Sequence, residues 1–314
     1  MWPRGYANDG TDENLSTDRK GPSWKSTEAA EAMKFLVVSA DDFGWSRDVN
    51  EGILESHLSG VVTAAGLLAN APDFTDAVAR AFDTPSLDIG IHLNIYRFRP
   101  VLRSLRGSRL TSSGGSFRED VRQILRYVLS SPTGRRLALE EFRAQIERVL
   151  ELGLPISHLD SDKHLHLWPT FFPSVAELAV EYRIRFVRTI REEAVLPLSL
   201  PAFLSLLSLP ARARLRRLGR ATPDHTRGIT TPPRTLATLK NILSKLPAGL
   251  TELISHPGRI DSRFHQIQKT VRNRLVEERK QELDTLATTQ ARNLLHDFRI
   301  ALTSFRDYNT CGIP

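Results

Sequence analysis

An apolar run leads directly into two adjacent carboxylates in the segment Val37-Val38-Ser39-Ala40-Asp41-Asp42-Phe43-Gly44. The run that begins at Phe35 predicts a buried strand, and Gly44 predicts a turn directly after it. Two neighbouring carboxylates are costly unless a cation or a proton separates their roles. One can then bind a divalent metal while the other acts as a base on water. An isolated Asp-Asp pair is also typical of a helix N-terminus, where Asp caps the first turn.

Three later segments repeat this design, in which a short apolar strand ends in a histidine or an acid. Asp88–Asn94 ends in His92 and Asn94, and Leu253–Gly258 runs into His256 before a Pro-Gly turn. The third segment, Ile156-Ser-His-Leu-Asp-Ser-Asp-Lys-His-Leu-His166, is unusually rich in groups that bind metals or move protons. They are His158, Asp160, Asp162, His164 and His166. Solvated charge runs are usually rich in Lys and Glu rather than His, so four such strand ends predict one shared site.

Composition indicates a globular protein without membrane-spanning helices. The chain has 314 residues, 40% hydrophobic and 25% charged, and no run approaches the roughly 18 apolar residues of such a helix. The single cysteine, Cys311, excludes an internal disulfide and leads us to expect a cytoplasmic location. The net charge of +7 favours an anionic membrane surface or nucleic acid. Without a helix-turn-helix, zinc finger or aromatic-rich RNA-binding strand, we expect no nucleic-acid partner.

The first 32 residues differ from the rest of the chain. Residues 1–32 are polar, without an apolar period, and we expect them to be disordered. The chain has two methionines, Met1 and Met33. Met33 immediately precedes the first predicted strand, which makes it the candidate true start of the protein. We expect the folded domain to cover residues 33–308.

Short apolar strands alternate with helical patterns along that domain. Strands are predicted near 34–40, 61–68, 88–93, 156–160, 184–188, 251–255 and 299–304, and helices near 47–58, 73–83, 118–130, 137–152, 171–182, 233–245 and 270–288. This alternation predicts parallel pairing through right-handed crossovers. About seven parallel strands favour an irregular (β/α) barrel over an open sheet. Its active site is then expected at the C-terminal strand ends, where the Asp and His residues fall.

The segment 195–232 is predicted to be an irregular insertion within the barrel. Residues 196–210 are apolar, and 211–220 are strongly basic. One interpretation is a buried excursion followed by a solvated basic helix. The other is an interfacial segment, in which apolar side chains enter the headgroup boundary and arginines meet anionic lipid. The second predicts peripheral contact with the inner membrane face through 195–220.

Together these motifs resemble the YdjC-like carbohydrate deacetylase family. The resemblance runs from about Met33 to Asp307 and rests on five motifs in the same order: Asp41-Asp-Phe-Gly44, Gly90-Ile-His-Leu-Asn94, His158-Leu-Asp-Ser161, Lys163-His-Leu-His166 and Thr251-Glu-Leu-Ile-Ser-His-Pro-Gly258. It implies an irregular (β/α) barrel and metal-dependent removal of acetyl from N-acetylated sugars. Asp224-His225 with Gly228, and Leu246-Pro-Ala-Gly249, resemble the hopanoid-biosynthesis branch of the family.

The resemblance also implies roles for individual residues. Asp41 is expected to be the general base, with Asp42 and His92 as ligands of one divalent metal. The third family ligand is a His in an Asp-Ser-His motif, where this chain has Asp162. Because a carboxylate replaces an imidazole, the preference moves toward harder ions among Mg²⁺, Mn²⁺ and Zn²⁺.

The remaining candidates have supporting roles. We expect His256, or else His166, to protonate the leaving amine. Four more residues are expected to orient ligands or contact substrate: His158, Asp160, His164 and Arg188. His164 or His166 is the alternative third ligand if Asp162 is a solvated turn residue.

Three functions are compatible with these features. The first is de-N-acetylation of a glycosylated hopanoid lipid or a related amino sugar, so the expected partner is an N-acetylated sugar or glycolipid. The second is deacetylation of soluble chitooligosaccharides. The third is a catalytically inactive sugar- or lipid-binding protein in which Asp162 marks a lost metal.

Overall fold

The computed structural model describes residues 33–192, 199–271 and 275–308. These contain the strands β1 (Lys34–Phe43), β2 (Ala64–Leu67), β3 (Asp88–Leu93), β4 (His158–Ser161), β5 (Phe186–Val187), β6 (His225–Arg227), β7 (Gly249–Ser255) and β8 (Ile300–Leu302). The helices are α1 (Arg47–Leu58), α2 (Phe74–Asp83), α3 (Val121–Ser130), α4 (Pro132–Leu150), α5 (Phe172–Glu181), α6 (Leu200–Arg217), α7 (Leu236–Ser244), α8 (Ser262–Gln268), α9 (Glu277–Leu286) and α10 (Thr289–Asp297). The predictions for residues 1–32 lie outside the described residues.

The strands form one curled parallel sheet. Its order is β5-β4-β3-β2-β1-β7-β6, and β8 pairs with the first three residues of β1. Three backbone hydrogen bonds then connect the two ends of the sheet: Val187 N to Ala221 O, Ala221 N to Arg185 O, and Thr226 N to Arg191 O, at 2.9–3.0 Å. The prediction of an irregular (β/α) barrel with roughly seven parallel strands is confirmed. None of the described helices is long and apolar enough to cross a membrane.

Strand β1 shows how the sequence assigns side chains to the two faces of the sheet. Successive side chains of a strand point to opposite faces, and in a barrel these are the interior and the helix layer. Three belong to the main core beneath the helices: Leu36, Val38 and Ala40. The side chains that alternate with them along the strand face the interior: Val37, Ser39 and Asp41.

The interior of the barrel changes from apolar to polar along its axis. At the amino end an apolar plug contains Val37, Ala64, Phe186, Leu250, Phe305 and Tyr308. Phe305, which follows β8, packs its ring 5.1 Å from Phe186 and 4.4 Å from the imidazole of His158. Above the plug, Gly90 leaves space for that imidazole, because a Cβ at this position would lie 2.3 Å from His158 Nε2. The plug therefore closes one end of a polar column.

The predicted elements are wrong in two places. The segment 195–232, predicted to be irregular, contains α6 and β6 among its described residues, and β6 pairs with β7. The helix predicted over 270–288 is replaced by α8, α9 and α10 across 262–297. Both errors have local causes. The three residues of β6 (His-Thr-Arg) give no apolar run, and the Thr288 side chain caps α10 by accepting from Ala291 N.

We expect Phe305→Ala to lower the free energy of unfolding by about 3–5 kcal/mol, because it leaves a cavity in the plug. Phe305 is 1% exposed, whereas Phe82 on α2 is 52% exposed and provides a matched control. Phe82→Ala should change stability by only about 0.5 kcal/mol or less. Urea titration followed by circular dichroism measures both variants. Similar losses in the two would show that the interior plug does not stabilise the barrel.

Candidate active site

A cluster of charged side chains lies where the parallel strands end. It contains Asp41 and Asp42 from β1, His92 from β3, Asp160 from β4, Asp162 just after β4 and Arg188 just after β5, each at most 5% exposed. The carboxyl ends of parallel strands meet at one edge of a barrel, which is why residues 147 positions apart can touch. Hereafter this edge is the carboxyl edge.

An irregularity in β1 brings both adjacent acids into the site. In a regular strand Asp41 and Asp42 would face opposite sides of the sheet. The register of β1 against β2 shifts between Ala40 and Phe43, and Asp42 has a left-handed backbone with φ of 72°. A bulge of this kind re-aims a side chain at the cost of local strain. As a result, both carboxylates reach the site but contact different partners.

Asp41 is held by Arg188 through two parallel hydrogen bonds. Nη1 and Nη2 of Arg188 each donate to one Asp41 oxygen at 2.8 Å. Burial alone would raise the pKa of Asp41, but Arg188, with His92, lowers that pKa below its usual range. Arg188 also donates to Glu252 Oε1 at 2.8 Å and contacts Asp160. Burial raises the pKa of Glu252 to about 7, so this guanidinium lies among three carboxylates of different acidity.

Asp42 pairs instead with Arg279 from α9. Burial opposes ionisation of this carboxyl, but Arg279 and then Arg97 lower its pKa below the usual range. Because each of the adjacent acids has its own guanidinium, both remain ionised at neutral pH. The other oxygen of Asp42, Oδ1, lies 3.9 Å from His92 Nε2, too far for a hydrogen bond.

His92 is oriented by Asp160. Nδ1 lies 2.8 Å from Asp160 Oδ1, so Nδ1 donates to this carboxylate and Nε2 points toward Asp42. Burial would lower the pKa of His92, but Asp160 and Asp41 outweigh it and raise that pKa to about 9. A carboxylate that holds one nitrogen of a histidine while the other faces a second acid is the usual surrounding of a metal ligand.

The cluster has more acidic groups than guanidiniums. Five carboxyl groups (Asp41, Asp42, Asp160, Asp162 and Glu252) lie among three guanidiniums (Arg97, Arg188 and Arg279), and Glu252 is only partly ionised at neutral pH. One trio has ligand atoms within 4.8 Å of one another: Asp41, His92 and Asp160. In that trio, however, both acids already contact Arg188. Asp42 uses Oδ2 to contact Arg279, which leaves its Oδ1 facing His92 Nε2 at 3.9 Å.

Asp162 forms an ion pair with Arg97. Arg97 Nε lies 2.6 Å from Asp162 Oδ2, and Nη2 donates to Oδ1 at 3.1 Å. The guanidinium of Arg97 also lies 4.7 Å from the centre of the Trp45 ring. Arg97 thus balances the negative charge that Asp162 adds to the cluster. The role of Asp162 as a metal ligand stays a prediction.

The two histidines after Asp162 differ in their surroundings. His166 Nε2 donates to the carbonyl of Arg188 at 2.9 Å, so Nδ1 accepts from Ser161 Oγ at 2.7 Å. Neither nitrogen is left for chemistry, and burial lowers the pKa of His166 to about 3. His164 follows Lys163 in the left-handed region, with φ of 53°. Within the part of the chain that the structure describes, its buried Nδ1 has no hydrogen-bond partner.

The remaining two histidines predicted for the site, His158 and His256, lie at different depths in the barrel. His158 lies one layer below Asp160 because the two are separated by one residue of β4, and its Nδ1 contacts Ser157 Oγ at 2.8 Å. Burial lowers the pKa of His158 to about 3. His256 follows β7, and its backbone nitrogen donates to Glu282 at 2.6 Å. Burial lowers the pKa of His256 to about 4, against the opposing effects of Asp41 and Asp42.

Three charged residues of the site are missed by the sequence analysis: Arg97, Glu252 and Arg279. Glu252 leaves a visible signal, because a carboxylate inside the apolar run Leu250–Ile254 needs a buried partner. Arg97 and Arg279 leave none, since both stand in segments with many other charges. Their partners become visible only when the fold brings β1, the β3–α3 loop and α9 together.

Comparisons with known proteins identify the family of this chain and agree with its fold. A sequence profile described as "YdjC-like protein" matches residues 35–297. A carbohydrate deacetylase of Brevibacillus brevis is 40% identical over 149 residues, 48% of this chain and 57% of that protein. One from Geobacillus stearothermophilus is 40% identical over 161 residues, 50% of this chain and 62% of that protein. In both alignments the chain spans less than two thirds of the relative's length.

Two further comparisons extend over most of the chain. A carbohydrate deacetylase of Listeria monocytogenes is 29% identical over 274 residues, 87% of this chain and 99% of the relative. A crystal structure from Enterococcus faecalis, of a protein named for cellobiose-phosphate cleavage, superposes with a TM-score of 0.68 at 23% identity. It covers 88% of this chain and 98% of the other, which supports the fold alone. With a family profile matched over most of its length, this chain belongs to the YdjC-like family.

Proposed function

We propose that this protein removes the acetyl group from an N-acetylated amino sugar with the help of a divalent metal. The observation that carries the proposal is the division between two adjacent acids, with Asp41 held by Arg188 and Asp42 directed toward His92 Nε2. This arrangement separates a base from a metal ligand within one Asp-Asp pair. The names of the Brevibacillus, Geobacillus and Listeria relatives support the same reaction and substrate class.

The residues that would hold the metal are His92, Asp42 and Asp162. His92 offers Nε2 and Asp42 offers Oδ1, while Asp162 can ligate with a lone pair that Arg97 does not use, because a carboxylate has about four. When bound, Mg²⁺, Zn²⁺ or Mn²⁺ would polarise the acetyl carbonyl and lower the pKa of a water molecule. His92 supports this assignment through its geometry, because Asp160 fixes the ring through Nδ1 and Nε2 faces Asp42 Oδ1.

Asp41 and His256 are the proposed proton carriers. Arg188 keeps Asp41 ionised, and therefore able to accept a proton from the attacking water, although the ion pair also weakens it as a base. His256 lies close enough to Asp41 and Asp42 for both to influence its pKa. Because it is neutral at pH 7, it would receive the proton that Asp41 accepts from the attacking water and pass it to the leaving amine. We prefer His256 over His166 as the acid that protonates the leaving amine, because both nitrogens of His166 are hydrogen-bonded within the protein.

Asp41→Asn should reduce kcat for acetate release by roughly a hundredfold or more while leaving metal content intact, because it removes the base but keeps the shape of the side chain. Asp42→Asn provides the matched control, since it should lose metal and activity together. Acetate release and elemental analysis of the dialysed protein measure both variants. An Asp41→Asn enzyme that kept most of its activity would exclude Asp41 as the base.

Asp162→Ala should weaken metal binding by more than the roughly 10- to 100-fold typical of a residue that only orients a ligand. Asp162→His should restore binding and shift the preference toward Zn²⁺, which suits imidazole better than Mg²⁺ does. His164→Ala, measured in parallel by metal titration, should retain the metal. Full metal content in Asp162→Ala together with loss in His164→Ala would identify His164 as the third ligand.

A glycosylated hopanoid lipid is the proposed substrate in finer detail. The branch resemblance suggests it, and the exposed apolar residues of α6 beside the β4–α5 loop (residues 162–171) support a lipid-linked sugar. Metal-loaded protein should release acetate faster from an N-acetylglucosaminyl lipid than from diacetylchitobiose. The reverse order would favour a soluble chitooligosaccharide. No acetate from either substrate, with no bound metal, would favour an inactive sugar- or lipid-binding protein.

A further inference from the structure

We propose that the carboxyl edge docks on an anionic lipid bilayer through two elements, the first half of α6 and the arginine-rich stretch 99–126. This stretch contains most of the β3–α3 loop and the start of α3. The sequence analysis instead predicted that the arginines of residues 211–220 would contact the lipid. The proposal agrees with a glycolipid substrate, but the measurement below requires no enzymatic activity.

The first half of α6 exposes large apolar side chains. Leu206 and Leu209 are each 63% exposed, Leu200 is 61% exposed and Phe203 is 42% exposed. The buried face of the same helix consists of other residues: Pro201, Leu204, Ser208, Ala211 and Leu215. An apolar face that the described residues leave uncovered on one short stretch of helix marks a partner of apolar character.

This half of α6 lies beside the active site. The ring of Phe203 is 5.8 Å from that of Trp168, in the same β4–α5 loop that carries His164 and His166. Ser208 Oγ accepts from Ile190 N, three residues after β5 ends. The exposed leucines are therefore at the carboxyl edge.

The arginines at the end of α6 lie elsewhere and have other partners. Arg220 donates to Ile184 O, which precedes β5, so this end of the helix lies toward the amino end of the barrel. Arg212 donates to Pro223 O, and Arg214 pairs with Glu177 on α5. The predicted contact between arginines 212–220 and lipid beside the apolar residues of 196–210 therefore does not fit the fold.

The stretch 99–126 supplies positive charge at the carboxyl edge instead. It has seven exposed arginines: Arg99, Arg103, Arg106, Arg109, Arg118, Arg122 and Arg126. Its only acids are Glu119 and Asp120. Basic side chains beside exposed leucines are the combination that an anionic bilayer attracts, because lipid phosphates meet the guanidiniums while apolar side chains enter the headgroup boundary.

The structure holds the arginine-rich stretch firmly in place. Three of its own apolar side chains are buried: Leu105, Leu110 and Phe117. The side chain of Glu141 accepts hydrogen bonds from the backbone nitrogens of Val101 and Leu102 in the same stretch. At its start, the Arg97–Asp162 pair joins it to the β4–α5 loop, which contacts α6. The arginines and the leucines therefore flank the same active-site loop.

Vesicle sedimentation tests the proposal with the full-length protein. The wild type should bind vesicles that contain phosphatidylglycerol and should not bind vesicles of pure phosphatidylcholine. Arg103→Gln with Arg106→Gln should weaken binding by roughly ten- to thirtyfold, from about 1 kcal/mol for each arginine near the surface. Leu206→Ser with Leu209→Ser should weaken it as well, even in high salt, where the charge attraction is screened.

A matched control separates this surface from net charge. Arg216→Gln with Arg217→Gln removes the same charge from exposed positions at the far end of α6 and should leave vesicle binding nearly unchanged. Equal losses in the two arginine pairs, or no binding by the wild type, would overturn the proposal. So would a dimer that the leucine variant converts to a monomer, or binding to duplex DNA that competes with the vesicles and depends on the same arginines. Thermal melting confirms that each variant is folded, and acetate release from a water-soluble substrate separately tests the deacetylase activity.

Discussion

The interior of the barrel depends on one buried guanidinium. Arg188, at the end of a strand of only two residues, contacts carboxylates from three other strands: Asp41 on β1, Asp160 on β4 and Glu252 on β7. An unpaired buried carboxylate costs several kcal/mol, so three acids can face one closed space only if a cation reaches the same layer. His166 fixes the backbone of Arg188 in turn, by donating to its carbonyl. Loss of Arg188 would therefore disturb Asp41, the orientation of His92 and the end of β5 together.

The second constraint is the bulge in β1. Successive side chains of a strand alternate between the two faces of the sheet, so only one of two neighbouring acids can face the interior of the barrel. The left-handed conformation of Asp42 brings the second acid into the site. Because the two carboxylates leave the strand in different directions, each has its own arginine, Arg188 or Arg279. The strain at Asp42 thus has a chemical consequence, because it converts a repelling pair into two ionised groups with separate surroundings.

Much of this architecture follows from the sequence, and the exceptions have physical causes. The apolar runs that end in Asp41, His92, Asp160 and His256 predict the barrel and the edge at which its site lies. Period and propensity describe one element at a time, so they miss pairs that join distant elements, such as Asp42 with Arg279 or Asp162 with Arg97. They also miss β6, whose three residues receive their strand conformation from pairing with β7. An arginine in a charged segment looks solvated until its partner is known.

The Arg97–Asp162 pair connects the inner site to the outer surface. Asp162 adds a negative charge to the cluster, and this charge is balanced by Arg97, which precedes a stretch with seven exposed arginines. In a (β/α) barrel every loop after a strand lies at the carboxyl edge, so a loop that neutralises a buried acid of the charged cluster can also present charge to whatever approaches that cluster. Substitutions in this loop can therefore change the charge of the cluster and of the surface around it, while the plug and the helix layer stay as they are.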